Sequence, residues 1–369
     1  MMALLKRTVD QVLGRGESAI TVPPMDGPLK PNRAIEDAAV VAQFDNPQDM
    51  AWDGEAIWVA DGCTLLRMEP GKTCTLEASY ERPITALAFV SGIGVLAALE
   101  GGDLRAPAGG QWKTGPREVD GRPLAHINSM SPGPAGTVLV TEGSRDFPVD
   151  QWSHDLLSLG RSGRVCQLSA DASRDREMAG GLKYAFGALR VGGETWVSES
   201  WGHQLIAVKD GGQRRPARIV LDRLPAYPSR LAHAASGGAW LSLFAARTRL
   251  TEFVLREPEY RHRMMKEVDP RYWVAPALSS GNSFLEPLQG GSVKQLGIMK
   301  PWAPPRSYGL VVRLGADGLP LFSLHSRADG RHHGIVAVAE AGDGLYVLAK
   351  GSRSLLRIDL DALPTETPL

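Results

Sequence analysis

The chain has 369 residues, with 41 Lys or Arg against 41 Asp or Glu, so its formal charge is zero. That balance excludes the basic excess by which nucleic-acid binders neutralise phosphates, and no apolar run reaches the ~18 residues that a spanning helix needs. With 43% hydrophobic and 22% charged residues, the composition is that of a globular protein, either one large closed unit or two ordinary domains.

At the N-terminus, Leu4, Leu5, Val9, Val12 and Leu13 lie near helical spacing and predict a short amphipathic helix. The stretch lacks the long apolar centre of a signal peptide, so a cytoplasmic protein is expected. Cys63, Cys74 and Cys166 are odd in number and form no C-x-x-C pair. They read as reduced structural thiols rather than a disulfide framework or a zinc site.

From residue 39 onward the dominant signal is a repeated strand token, an apolar run followed by an acidic or small residue and a Gly-bearing turn. It occurs at Ala56–Gly62, Gly94–Gly101, Gly136–Gly143, Glu194–Ser200, Gly238–Leu243 and Asp343–Ala349. The central residues 58, 96, 138, 196, 240 and 346 are separated by 38, 42, 58, 44 and 106 positions. Several short strands recurring every 40 to 50 residues are the signature of propeller blades. Six tokens predict an all-β, six-bladed β-propeller.

The long last step implies an insertion in blade five. Leu250, Phe253, Val254 and Met264 have helical spacing interrupted by Pro258, and Pro starts or kinks a helix. Loop residues follow until strand pattern resumes at Tyr308. The expected organisation is therefore an N-terminal helix and extension over 1–37, then a propeller over 38–369 with a mixed helical and loop cap at 251–306. A segment of that length without regular strands usually forms a lid or binding loop. Blade six shows only three strands before the chain ends, which would leave an open sheet edge. Ala39–Phe44 is the expected fourth strand, pairing near Leu355–Ile358 and closing the ring.

The tokens also resemble a known family. Asn46–Gly54 is similar to the first blade of the strictosidine synthase-like proteins and their gluconolactonase and paraoxonase relatives. Ile127–Pro132 with Thr141–Ser144 is similar to blade three, Leu224–Arg230 to the blade-five turn, and Asp343–Val347 to blade six. The resemblance implies a site at the mouth of the central channel. Calcium-dependent members of that superfamily use a Glu in blade one, Asn in blades three and four, and an Asp in blade five. By that resemblance the matching positions here are Gln48, Asn128, Phe186 and Ser229 or Arg230. A hard cation wants several oxygens with carboxylates among them, so no calcium site and no cofactor is expected. The plant enzyme's blade-six Glu falls at Gly334, so strictosidine synthase chemistry is not carried over with the fold.

The first residues of propeller inner strands line the channel. Here they are Gln48, Asp49, Thr85, His126, Asn128, Phe186, Ser229, Arg230, His332 and His333. His332 and His126 are the candidate acid–base residues, with His332 preferred over His333 as the channel-facing member of its pair. Asn128, Arg230, Gln48, Asp49, Phe186 and His333 are candidate substrate-binding residues. Arg230 would hold a carboxylate bidentately or be neutralised by Asp49. Glu142 and Glu199 read as structural blade residues. The expected function is a metal-independent, hydrolase-like enzyme of the strictosidine synthase-like group. It would act on a small polar metabolite, anionic or carbonyl-containing, by hydrolysis or proton transfer. The competing expectation is a non-catalytic propeller that binds a small molecule. Neither nucleic acid nor a membrane is an expected partner.

Overall fold

The computed structural model of the chain describes residues 22–106, 112, 117–209, 218–283, 285–287, 294–295, 298–299, 306–342 and 344–364. The amphipathic helix expected at Leu4–Leu13 lies outside them, as does most of the second half of the cap. Six sheets form the blades of a propeller. Their inner strands are Pro47–Trp52, Ile84–Val90, Ile127–Pro132, Ala185–Val191, Ala226–His233 and Ile335–Ala341. Each packs on the inner strand of the next blade, and the sixth packs on the first, so the ring closes around a channel.

The token residues form the second strand of each blade. Val138–Glu142 and Ala239–Ala246 are buried along their whole length, because sheets face them on both sides. That is why they read as continuous apolar runs instead of alternating ones. Outermost strands such as Thr75–Ser79 are largely exposed. Blade two shows three strands among the described residues.

Blade six is completed as expected by the N-terminal strand Ala39–Gln43, antiparallel to Ser354–Asp359, with Ala39 opposite Arg357 and Gln43 opposite Ser354. The preceding segment fastens that closure. Asn32 donates from Nδ2 to the Ser323 carbonyl and accepts from His325 N–H, and Ile35 is fully buried beside the strands of blades five and six.

The cap follows the second strand of blade five and precedes the third, Gly309–Leu314. Its helical part begins two residues before the expected boundary and consists of two helices, Pro258 starting the second instead of kinking the first. α2 (Arg249–Val254) is capped by the Thr248 side chain, and α3 (Pro258–Glu267) starts on Pro258, which needs no N–H there. A second insertion lies at the same place in blade three. Between Val138–Glu142 and Gly163–Leu168 it carries helix α1 (Trp152–Leu157), and it accounts for the 58-residue step. The two insertions pack together: Leu157 of α1 lies among Val254, Met264, Trp273, Val274 and Ala275, and His154 meets the Trp273 ring edge-on at 4.6 Å.

Candidate functional site at the channel mouth

Every inner strand breaks register near its start, between Pro47 and Asp49, Ile84 and Ala86, Ile127 and Ser129, Ala185 and Gly187, Pro228 and Leu231, and Ile335 and Ala337. A bulge leaves one residue out of the ladder and re-aims its backbone. The residues so released are Gln48, Thr85, Asn128, Phe186, the pair Ser229–Arg230, and Val336. Four of their carbonyls converge on one guanidinium. Arg230 Nη1 donates to Gln48 O at 3.0 Å and Val336 O at 3.1 Å, while Nη2 donates to Thr85 O at 3.0 Å and Asn128 O at 2.5 Å. Arg230 Nε stands 3.1 Å from Asp49 Oδ2, off the line of a hydrogen bond, so that contact is electrostatic. Asp49 also accepts from Leu87 N–H and Met50 N–H. Burial pushes its carboxyl up to about 6 against the pull of Arg230 and both donors. One side chain from blade five thus ties the inner strands of blades one, two, three and six across the axis.

Beside this plug, Gln48, Val149, Trp152, Phe186, Arg230, Phe244, Leu278, Val336 and Lys350 enclose a cavity of about 20 Å³, room for a single water. Its wall belongs to an aromatic cluster in which Phe186 and Trp152 lie 5.7 and 5.2 Å from Phe244. Its roof is Leu278, from the loop after the cap helices. That loop sits close because blade six offers glycines beneath it: a Cβ on Gly351 would come 2.0 Å from the Leu278 carbonyl, and one on Gly334 2.7 Å. Ser280 and Ser307 share a hydrogen bond at 2.8 Å under the same loop. Among the polar groups of the lining, Lys350 donates from Nζ to Gln48 Oε1 at 2.5 Å. Burial and the neighbouring Arg230 charge push its amine down to about 8.

The structure brings Gln48, Phe186 and Arg230 to the cavity lining and sets Asp49 and Asn128 against Arg230. The Asn128 amide is engaged within the blades, donating to Ala185 O at 2.9 Å and accepting from Thr141 Oγ1 at 2.7 Å. None of the three candidate histidines lines the cavity. His332 Nδ1 meets Ser352 Oγ at 3.0 Å. His333 Nε2 donates to Arg327 O, and its Nδ1 accepts from Ser307 Oγ, both at 2.8 Å. His126 gives its N–H to Glu142 Oε1 at 3.0 Å. Glu142 and Glu199 hold the segments that lead into their own inner strands: Glu142 accepts from Ala125 and His126 N–H, and Glu199 from Lys183 N–H. Asp61 does the same for Asn46 in blade one.

Sequence reasoning missed Lys350, Trp152, Phe244 and Leu278. A signal for the first was present, because the tokens of blades one to four end on Asp61, Glu100, Glu142 and Glu199, whereas the sixth runs into Lys350. Second strands return to the mouth from which inner strands leave, so the side chains at their ends belong to the same rim.

No family model matches the sequence, and no curated protein matches it. Solved structures do. A luciferin-regenerating enzyme shares 12% identity over 86% of this chain and 92% of its own, at TM-score 0.53. A gluconolactonase from Xanthomonas campestris shares 13% over 89% and 91%, at 0.51. Regucalcin from Agrobacterium tumefaciens, a calcium-binding protein, shares 11% over 87% and 92%, at 0.51. These likenesses show the fold alone, a six-bladed propeller. A calcium ion does not fit this chain's axis: the convergent oxygens are already donated to by Arg230, whose positive charge a divalent cation would face at contact distance.

Proposed function

We propose that the chain binds a small carbonyl-bearing or anionic metabolite at the mouth of its channel, without a metal ion. The observation that carries this reading is the capped cavity beside the plugged axis, where the Lys350 amine and Gln48 amide stand over an apolar wall of Trp152, Phe186 and Phe244. A few convergent polar groups in a mostly apolar recess are what small-molecule sites offer. At about 20 Å³ the recess admits only the reactive or charged end of a ligand, so the body enters by displacing the Leu278 loop. The second reading is hydrolysis of a lactone or ester at the same mouth. It is favoured by the fold shared with a gluconolactonase, and a role for His332 or His126 as acid or base belongs to it.

The test is a panel of lactones, esters, aldehydes and carboxylates, scored for turnover and for quenching of tryptophan fluorescence. Wild type, Lys350→Met and His332→Ala are compared with added calcium and with chelator. Saturable quenching that ignores calcium and is lost in Lys350→Met is the expected result. Turnover lost in His332→Ala would select the hydrolytic reading, and binding abolished by chelator would overturn both.

A further inference from the structure

We infer that Lys350 is an amine nucleophile that condenses with the carbonyl carbon of an aldehyde or ketone held at the channel mouth. The inference rests on the proposed reading of that mouth as a small-molecule site, and it names the ligand chemistry. The geometry supplies the three conditions an amine nucleophile needs. The amine lines a cavity instead of projecting into bulk water. Its hydrogen-bond partner is Gln48 Oε1, a neutral acceptor that orients the nitrogen without holding its positive charge. A fixed cation, Arg230, borders the same cavity.

The charges acting on the amine come from two elements. Arg230, on the blade-five inner strand, disfavours the ammonium form, while Asp150, in the turn before α1, favours it. Asp49, on the blade-one inner strand, is committed to Arg230 and to two backbone N–H groups. With the amine lowered to about 8, a much larger share of it is neutral near physiological pH than for an ordinary lysine. A desolvated lysine beside another cation is the usual way to make such a nucleophile.

The step balances without a further reagent. The nitrogen lone pair forms the C–N bond and the carbonyl π pair moves to oxygen. Both amine protons end on that oxygen, and it leaves as water, giving an imine between Lys350 and the former carbonyl carbon. The apolar roof of Leu278 limits the water available to reverse it.

The experiment uses the full-length protein with glyoxylate or propanal and cyanoborohydride, followed by peptide mapping. The expected result is a reduced adduct on Lys350 that saturates with aldehyde concentration. Its rate should rise with pH to a midpoint near that of the perturbed amine, at least tenfold faster at neutral pH than at exposed Lys30 and Lys266. Lys350→Arg should remove that adduct and leave the surface ones. Leu278→Ala should speed labelling by propanal more than by glyoxylate. Mapping on wild type keeps the test independent of whether a variant folds. Labelling of Lys350 no faster than of Lys30 overturns the inference. If the aldehydes then still quench Trp fluorescence saturably, the mouth remains a binding site and only the imine fails. If they do not, both readings fail.

Discussion

Arg230 and Lys350 border the same cavity, yet the protein holds them in opposite ways. Arg230 has four backbone carbonyls and a carboxylate around it. Lys350 hydrogen-bonds to a neutral amide and feels Arg230 as a repelling charge. Nearly every donor of the first is used by the scaffold, whereas the second keeps an amine that a ligand can address. The difference teaches that burial of a cation near a channel is not by itself a functional sign; what counts is how many of its donors the fold already consumes.

The largest effect should come from the axis. Arg230→Met leaves Asp49 buried without its counter-charge and four carbonyls without a donor, and breaking such a pair costs about 3–5 kcal/mol. Urea denaturation measures it, and Asp49→Asn in the same chain should recover part of the loss. An unchanged midpoint would erase the distinction between the two cations.

Acid should weaken the protein next. Burial pushes His325 and His203 down, each to about 4. Their stabilising contribution is complete above the unfolded value near 6.5 and is lost as pH falls from there toward 4, because only the unfolded chain takes up those protons. Asp49, raised to about 6, works in the other direction between about 6 and its unfolded value. With two histidines set against one aspartate, these groups together lose stability as the pH falls, readable as a falling melting temperature. His325→Gln should flatten the slope.

Gly351→Ala tests the mouth from its roof. The added Cβ cannot coexist with the Leu278 carbonyl, so the loop must lift, at about 1–3 kcal/mol for an overpacked contact. Trp152 and Trp201 fluorescence should report the opening, and ligand access should become faster. Lys350→Met should change stability by less than about 1 kcal/mol, since it removes one hydrogen bond and relieves a repulsion, while abolishing ligand binding. A large loss of stability would mean that Lys350 is as structural as Arg230. The smallest effect is expected from calcium. Millimolar calcium should leave the melting temperature unmoved, because only a ligand that binds the native state raises it.

Much of the fold was legible because each blade repeats one physical problem. A second strand covered on both faces must be apolar throughout, and it must be followed by a turn; the tokens at Val138–Glu142 and Gly344–Ala349 show both. The closing strand Ala39–Gln43 was legible for the same reason, since a three-stranded last blade needs a partner for its edge. The helix α1 was not, because Trp152–Leu157 spans only six residues, too few for a periodicity to stand out. At the site, the importance of Gln48, Phe186 and Arg230 could be placed by their position at strand starts, but their roles could not.

By itself the sequence determined the ring of six blades, the place of its closure and the rim positions from which a site could be built, all consequences of local strand patterning and of an unpaired edge. Only the tertiary structure decided what those positions do. Bulges in inner strands far apart in sequence turn the carbonyls of Gln48, Thr85, Asn128 and Val336 onto one point, where a single guanidinium satisfies them. Two insertions separated by nearly a hundred residues meet over the mouth and leave Lys350 beneath Leu278. Hydrogen bonding and close packing act between neighbours in space, and for these residues the chain order does not show who the neighbours are.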